Sequence, residues 1–339
     1  MVLRPTPTPV TFFSVRSVLG PWLPLIVLAT LTVGQCFAQA PTAPRHHGTT
    51  APRRGGPARS SGPYRPLEGG GSVNENTVRT ARESVPHSFD FPAWRNPPQF
   101  SADVFTFARI IFSSQPSPGT DNYGWWYDYP DADLNLSYRL QQLTALKVDP
   151  DGRVLWLSNP DIFDYPFLHI EHVEGMRLNA VEIAALQKYL GAGGVLVVND
   201  FWGTNAWLNL ENEMAQVLPG RQWVDLPLSH PIFHCVFEFR GPASMLQVPT
   251  ITQWNRNYDP NDPNSRASPP RRAGYAGWED MHVRAWFDNR QHIMVLAVHN
   301  SDMPDGWERE GENPDYFRQF SEARSYPLMI NILFYLMTH

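Results

Sequence analysis

Gly193-Gly194-Val195-Leu196-Val197-Val198-Asn199-Asp200-Phe201-Trp202-Gly203 reads as a helix stop, a buried strand and a tight turn. A short, continuous apolar run bounded by glycine is what a central parallel strand covered on both faces requires. Upstream, Asn179 stands three residues before Glu182, the spacing of a capping box. Ile183, Leu186 and Leu190 then share one helical face, and Gly191 with Gly193-Gly194 supplies the stop. Downstream, Trp207, Leu210, Met214, Val217 and Leu218 predict a second helix ended by Pro219-Gly220. A strand between two helices on short links is the unit of a parallel, doubly wound α/β sheet.

The flanking sequence continues the alternation. Phe105 to Phe112 alternates and is rich in aromatic and β-branched residues, so it predicts a strand. A loop with Trp125, Trp126 and Tyr127 follows, then a helix with Leu136, Leu140 and Leu143 on one face and Asp131 or Asp133 as its cap. Val154 to Leu157 and Pro166 to Ile170 predict two more strands, the latter running into Glu171-His172. Beyond a polar loop at residues 255–277, Val283 to Phe287 and Ile293 to Val298 flank the turn Asp288-Asn289-Arg290 as a hairpin. An apolar terminal helix from Pro327 to Met337 is too short to span a bilayer and is expected to pack on the sheet.

The N-terminal quarter is different in kind. Arg4 and Arg16 precede an apolar stretch from Val18 to Val33, and small residues near Ala38 offer cleavage points. That stretch contains Pro21 and Pro24 and is short for a span, so residues 1–38 are expected to be a signal peptide, with a retained anchor as the alternative. Gln35 before Cys36 speaks against a lipoprotein. Residues 39–88, rich in Pro, Gly, Ser, Thr and Arg, predict a disordered linker, leaving 89–339 as one folded domain. The mature chain then keeps only Cys235, expected as a small buried hydrophobe without a disulfide. The expected location is the periplasm or the exterior, with membrane contact only through an uncleaved N-terminus.

The formal charge of −6 and a pI near 6.0 argue against nucleic acid as partner, which requires a basic face. Walker, Gly-x-Gly-x-x-Gly and Gly-x-Ser-x-Gly patterns are all absent, so no nucleotide cofactor and no serine elbow are expected. In an open α/β sheet, ligands bind outside the carboxyl ends of the strands. That rule selects Glu171 and His172 after one strand, Asp200 and Trp202 after the central one, and His299 and Asp302 after the hairpin. Asp128, Asp133 and Arg139 flank the first strand-to-helix connection and reach the same rim, with His230 a cleft-edge donor or a structural residue. Each alone is more simply a satisfied loop residue; together they describe a cleft. A histidine among carboxylates serves as general acid and base or holds a divalent metal. His169, Glu171 and His172 lack the helical spacing of a zinc motif, and no metal ligand set is assigned.

Several separated motifs resemble domain of unknown function 4159. They are Trp126-Tyr127-Asp128-Tyr129-Pro130 with Asp133 and Arg139, Tyr165-Pro166-Phe167-Leu168, Gly193-Gly194 to Gly203, His230-Pro231-Ile232-Phe233-His234 and the ending Asn331 to His339. The resemblance covers roughly residues 103–339. It implies a flavodoxin-like, class I glutamine amidotransferase-like fold near the trehalose-utilisation-type proteins, with a C-terminal hairpin and helix. It implies no settled activity. In that fold a nucleophilic Cys stands two residues before a Gly, which puts Phe201 at the nucleophile's place. A phenyl ring cannot attack a carbonyl, so glutamine hydrolysis is not expected.

Two functions follow as expectations. The first is a non-catalytic envelope domain that binds a carbohydrate or a protein partner, with Trp125, Trp126, Trp202 and Trp278 as contact surfaces. The second is a hydrolase or isomerase acting on a sugar or glycan through Asp128, His172 and Asp200, with or without a metal. Convergence of those three groups favours the second, and burial of all four rings removes the carbohydrate form of the first.

Overall fold

A computed structural model describes residues 62–88, 91–100, 103–115, 124–251, 254 and 276–339. The expected signal peptide, Cys36, the first part of the linker and most of the 255–277 loop lie outside the described residues. In chain order the strands are β1 (Tyr64–Pro66), β2 (Ser72–Asn74), β3 (Ala108–Ile111), β4 (Arg153–Trp156), β5 (Phe167–Glu171), β6 (Val195–Asn199), β7 (Val224–Asp225), β8 (His282–Phe287) and β9 (Ile293–His299). The helices are α1 (Asp131–Leu143), α2 (Ala180–Gly191), α3 (Gly203–Val217), α4 (Met303–Glu308), α5 (Pro314–Tyr316) and α6 (Tyr326–Thr338), with a π-helical stretch Phe317–Ser325 joining the last two.

The central sheet has seven strands in the order β4-β3-β5-β6-β9-β8-β7. Strands β4, β3, β5, β6 and β9 run parallel; β8 returns antiparallel beside β9 as the expected hairpin, and β7 pairs antiparallel with β8. Strand β6 is buried along its whole length. Leu196 and Val198 meet the layer that holds Leu186, Leu190, Leu210 and Met214 of α2 and α3. Val195 meets the opposite layer, where Leu136 and Leu140 of α1 lie with Leu328, Ile332 and Leu333 of α6. The result is helix–sheet–helix layering, and it explains why β6 is apolar without alternation.

Local chemistry ends α2 as the glycines foretell. Asn179 Oδ1 accepts from Val181 and Glu182 N–H, and Glu182 returns a bond to Asn179 N–H, completing the capping box. At the far end Gly193 takes φ 95°, and a Cβ on Gly194 would stand 2.2 Å from the Tyr189 ring. Helix α1 departs from expectation: Pro130 is its N-cap, and no side chain caps it. Asp131 and Asp133 sit inside the first turn instead, where the macrodipole favours their charge and both turn to tertiary partners.

Residues 62–88 are a correction to the linker reading. They form the β1–β2 hairpin and a short 3-10 turn at Ala81–Glu83, and Val73, Val78 and Ala81 are buried with Trp125, Trp126 and Val154. The backbone carbonyl of Arg79 accepts from Val154 N–H at 2.8 Å, which covers the outer edge of β4. Cys235 is also corrected. It is exposed, following the 3-10 turn Pro231–Phe233, with Sγ 3.2 Å from the Asn331 carbonyl.

Candidate functional site

The order of strands reverses between β3 and β5: from β3 the chain winds out to β4, then crosses back to β5, β6 and β9. Such a switch point opens a crevice at the carboxyl ends. At this edge the residues directly after β5, β6 and β9 all have left-handed backbone: His172 (φ 52°), Asp200 (φ 44°) and Asn300 (φ 60°). Asp128, ahead of α1, has φ 56°. Each conformation costs on the order of 1–3 kcal/mol for a non-glycine residue and persists only where surroundings hold it. Here the turns brace one another, since His172 N–H donates to the Asp200 carbonyl at 3.1 Å and Asn300 N–H to the Phe201 carbonyl at 3.0 Å.

These turns aim side chains at one another. Asp128, His172 and Asp200 each offer a ligand atom within 4.8 Å of the others. His172 Nε2 lies 2.7 Å from Asp200 Oδ2, and the Trp202 indole donates to Asp200 Oδ1 at 2.9 Å. Asp128 is 6% exposed, His172 8% and Asp200 2%, so all three groups are buried. Burial opposes the charge on His172, yet Asp200, with Glu174 and Asp128 behind it, holds its proton up to about 10. Burial, then Glu171 and Asp200, pushes the Asp128 carboxyl well above the usual carboxylate range. Asp128 Oδ2 has no hydrogen-bond partner among the described residues.

Behind this group lies a fully buried arginine. Arg109 Nε donates to Asp133 at 2.8 Å, and its terminal nitrogens reach Glu171 and the Trp125 carbonyl at 2.5 and 3.0 Å. Burial lifts Glu171 to about 7 against the pull of Arg109. On the other side, Asp302 caps α4 by accepting from Asp305 N–H at 2.9 Å. Asp302, Asp305 and Glu308 recur at three-residue intervals, which puts them on one helical face. Asp128, Asp305 and Glu308 form a second set of ligand atoms within 4.8 Å. Burial raises Asp302, Asp305 and Glu308 above their ordinary range; neighbouring carboxylates add to the shift of Asp302 and Glu308, while Arg309 opposes it at Asp305 and Glu308. Arg309 sits beside them, its Nε 2.9 Å from Asp305 and 2.7 Å from Glu308.

The residues singled out from sequence divide cleanly. Asp128, His172, Asp200 and Asp302 converge, with Glu171 adjacent and Asp133 one step behind through Arg109. Trp202 positions Asp200 rather than facing a ligand. Arg139 lies outside the group, paired with Glu310. His230 is structural: it caps the Pro231–Phe233 turn and packs against Tyr335. His299 is held below the sheet edge, its Nε2 3.0 Å from the Gly203 carbonyl and its ring stacked on Phe201; burial lowers it to about 3, so it is neutral. Phe201 is buried in the core, and the residue at the left-handed position of the turn is Asp200, one residue before the position picked out by spacing to Gly203. Trp125, Trp126 and Trp202 are buried and Trp278 is half-buried, so no exposed aromatic platform exists among these four.

Sequence reasoning missed Arg109, Asp305, Glu308 and Arg309. The three-residue repeat Asp302, Asp305, Glu308 was the available signal. Arg109 gave none, because one charge in an apolar strand does not announce its partner.

The chain is an open α/β sheet with a buried charged cluster at the reversal of its strand order, the edge at which sheets of this kind bind ligands. The chain belongs to the family described as Domain of unknown function (DUF4159), which matches residues 106–337. No curated protein matches it significantly.

Proposed function

We propose that this domain is an acid–base catalyst, a hydrolase or isomerase acting on a sugar or glycan outside the cytoplasm. The observation that carries this reading is the convergence of Asp128, His172 and Asp200 within 4.8 Å. His172, held protonated by Asp200, is the proton donor to a leaving oxygen. Asp128, with a raised pKa and a free Oδ2, takes the proton of the attacking water, or of the substrate carbon in an isomerisation. In hydrolysis the water oxygen bonds the anomeric carbon as the glycosidic bond breaks.

The winding supports a flavodoxin-type sheet: β4-β3-β5-β6-β9 is the order 2-1-3-4-5 by chain appearance. The sharp turn after β6 supports kinship with class I glutamine amidotransferases, in which Asp200 and Phe201 replace the nucleophilic region. Neither side chain performs that family's thiol chemistry.

The test uses the full chain on a panel of envelope glycans and reducing sugars. Turnover by the wild type, lowered about 10²- to 10⁴-fold by Asp128→Asn or His172→Asn, is expected. Equal turnover by wild type and both variants would sink the proposal. The second reading, a non-catalytic binding domain, draws on the depth at which the cluster is buried. Retention of a glycan without turnover, unchanged in Asp128→Asn, would favour it.

A further inference from the structure

Beside the His172–Asp200 pair lies a second set of groups, Asp128, Asp305 and Glu308, drawn from the loop before α1 and from α4, of which the proposed acid–base step uses Asp128 alone. Carboxylate clusters are common on protein surfaces, and a cluster alone defines nothing. This one is buried, with Asp305 4% and Glu308 0% exposed. It also contains an unpartnered atom, since Asp128, itself more than nine-tenths buried, has an Oδ2 that accepts no hydrogen bond from the described residues. Glu308 meets the Arg309 guanidinium at 2.7 Å through Oε2 and the His87 ring at 3.6 Å through Oε1, and it is in hydrogen-bonding contact with Asp305.

We propose that Asp128, Asp305 and Glu308 hold a divalent cation of the hard, oxygen-preferring class, Mg²⁺, Mn²⁺ or Ca²⁺. An all-carboxylate donor set suits such ions and not the softer zinc or copper. The oxygens already bonded keep a lone pair each. Asp305 Oδ2 accepts from Ile251 N–H at 2.6 Å and Oδ1 from Arg309 at 2.9 Å, and an ionised carboxylate has capacity for about four partners. The alternative triad of Asp128, His172 and Asp200 is the weaker home for the ion, because His172 Nε2 is already engaged with Asp200 Oδ2 at 2.7 Å. Charge decides in the same direction. Asp302 adds a further buried carboxylate beside Asp305, against which Arg309 and the His87 ring are the cationic groups in contact with this set. A dication held by the three carboxylates adds to the positive charge already set against them. Asp128 belongs to both sets, so the ion would stand one carboxylate away from the proposed acid–base pair. That adjacency deepens the catalytic reading, but cation binding does not depend on it.

The experiment is metal binding by the full chain, stripped with chelator, dialysed against Mn²⁺ and read by elemental analysis and electron paramagnetic resonance. Stoichiometric Mn²⁺ is expected in the wild type. Asp128→Asn and Glu308→Gln should each weaken binding by at least about 10-fold, the smallest loss seen when even a supporting group is removed. His172→Asn should bind as the wild type does. Near-UV circular dichroism confirms that each variant is folded, and Asp305→Asn stands in for any that is not. Absence of stoichiometric Mn²⁺, Mg²⁺ or Ca²⁺ in the wild type overturns the proposal. So does loss of the ion in His172→Asn, which would move it to the other triad. Full binding with no glycan turnover would leave the cation site standing and remove the catalytic reading.

Discussion

At the scale of single residues, Arg109 is the hinge between core and site. Its guanidinium is fully buried and bonds Asp133, Glu171 and two backbone carbonyls, which uses its donors almost completely. Removing it strands two carboxylates in the interior. Arg109→Met is therefore expected to destabilise the fold by about 3–5 kcal/mol, the range for breaking one side of a buried ion pair. Urea denaturation of both proteins measures this, and a loss below about 1 kcal/mol would show that Asp133 and Glu171 find other partners. Asp200 illustrates what one residue of register means. Reading the turn by its distance to Gly203 placed Phe201 at the apex, but the left-handed residue is Asp200 while the phenyl ring packs on His299 and Trp207. Backbone dihedrals, and not residue spacing, choose the side chain that such a turn presents.

Elements were legible where their chemistry is local. Helix α2 begins at the expected cap and ends at the expected glycines because each signal acts within a few residues. Asn179→Ala removes acceptors from Val181 and Glu182 N–H and should cost about 1 kcal/mol, read as a fall in thermal midpoint. The β8–β9 hairpin and α6 were equally plain. Helix α4 was not. Its six residues are too few for a periodic apolar face, and its Asp302, Asp305, Glu308 repeat marks a face without saying what that face meets. The start of α1 misled in a related way: Asp131 and Asp133 look like caps, yet each serves a distant partner, His87 and Arg109.

On the scale of the whole molecule, residues 62–88 extend the domain over the β4 edge and are pinned by His87. Its Nδ1 lies 3.0 Å from Asp131 and its Nε2 3.2 Å from Glu312, joining the N-terminal segment to α1 and to the turn after α4. Burial disfavours its charge, but Asp131 and Glu312 raise its pKa to about 9. Because the folded value exceeds the unfolded one of about 6.5, protonated His87 stabilises fully below about 6.5 and loses that contribution as pH rises through about 9. The stability gap between wild type and His87→Gln, from urea denaturation at several pH values, should therefore shrink across that window. A gap that stays constant would mean that the ring is held by packing and not by charge. This docking was not legible, because Pro, Gly and Ser content reports a low capacity for burial and says nothing of the few apolar residues, Val73, Val78 and Ala81, that find a surface to cover.

The amino-acid order alone settled what short-range physics governs. It marked an apolar run flanked by glycines as a covered strand, alternating helices and strands as a parallel sheet, and the carboxyl edge as the place to look for function. It also named Asp128, His172 and Asp200 as candidates. Tertiary structure alone decided that those three meet while His230 and Arg139 do not, and that Asp305 and Glu308 join Asp128 from a helix far along the chain. The reason is physical. Convergence depends on strand order and on left-handed turns after β5, β6 and β9, and the shift of each ionisable group depends on burial and on charges brought close only by folding.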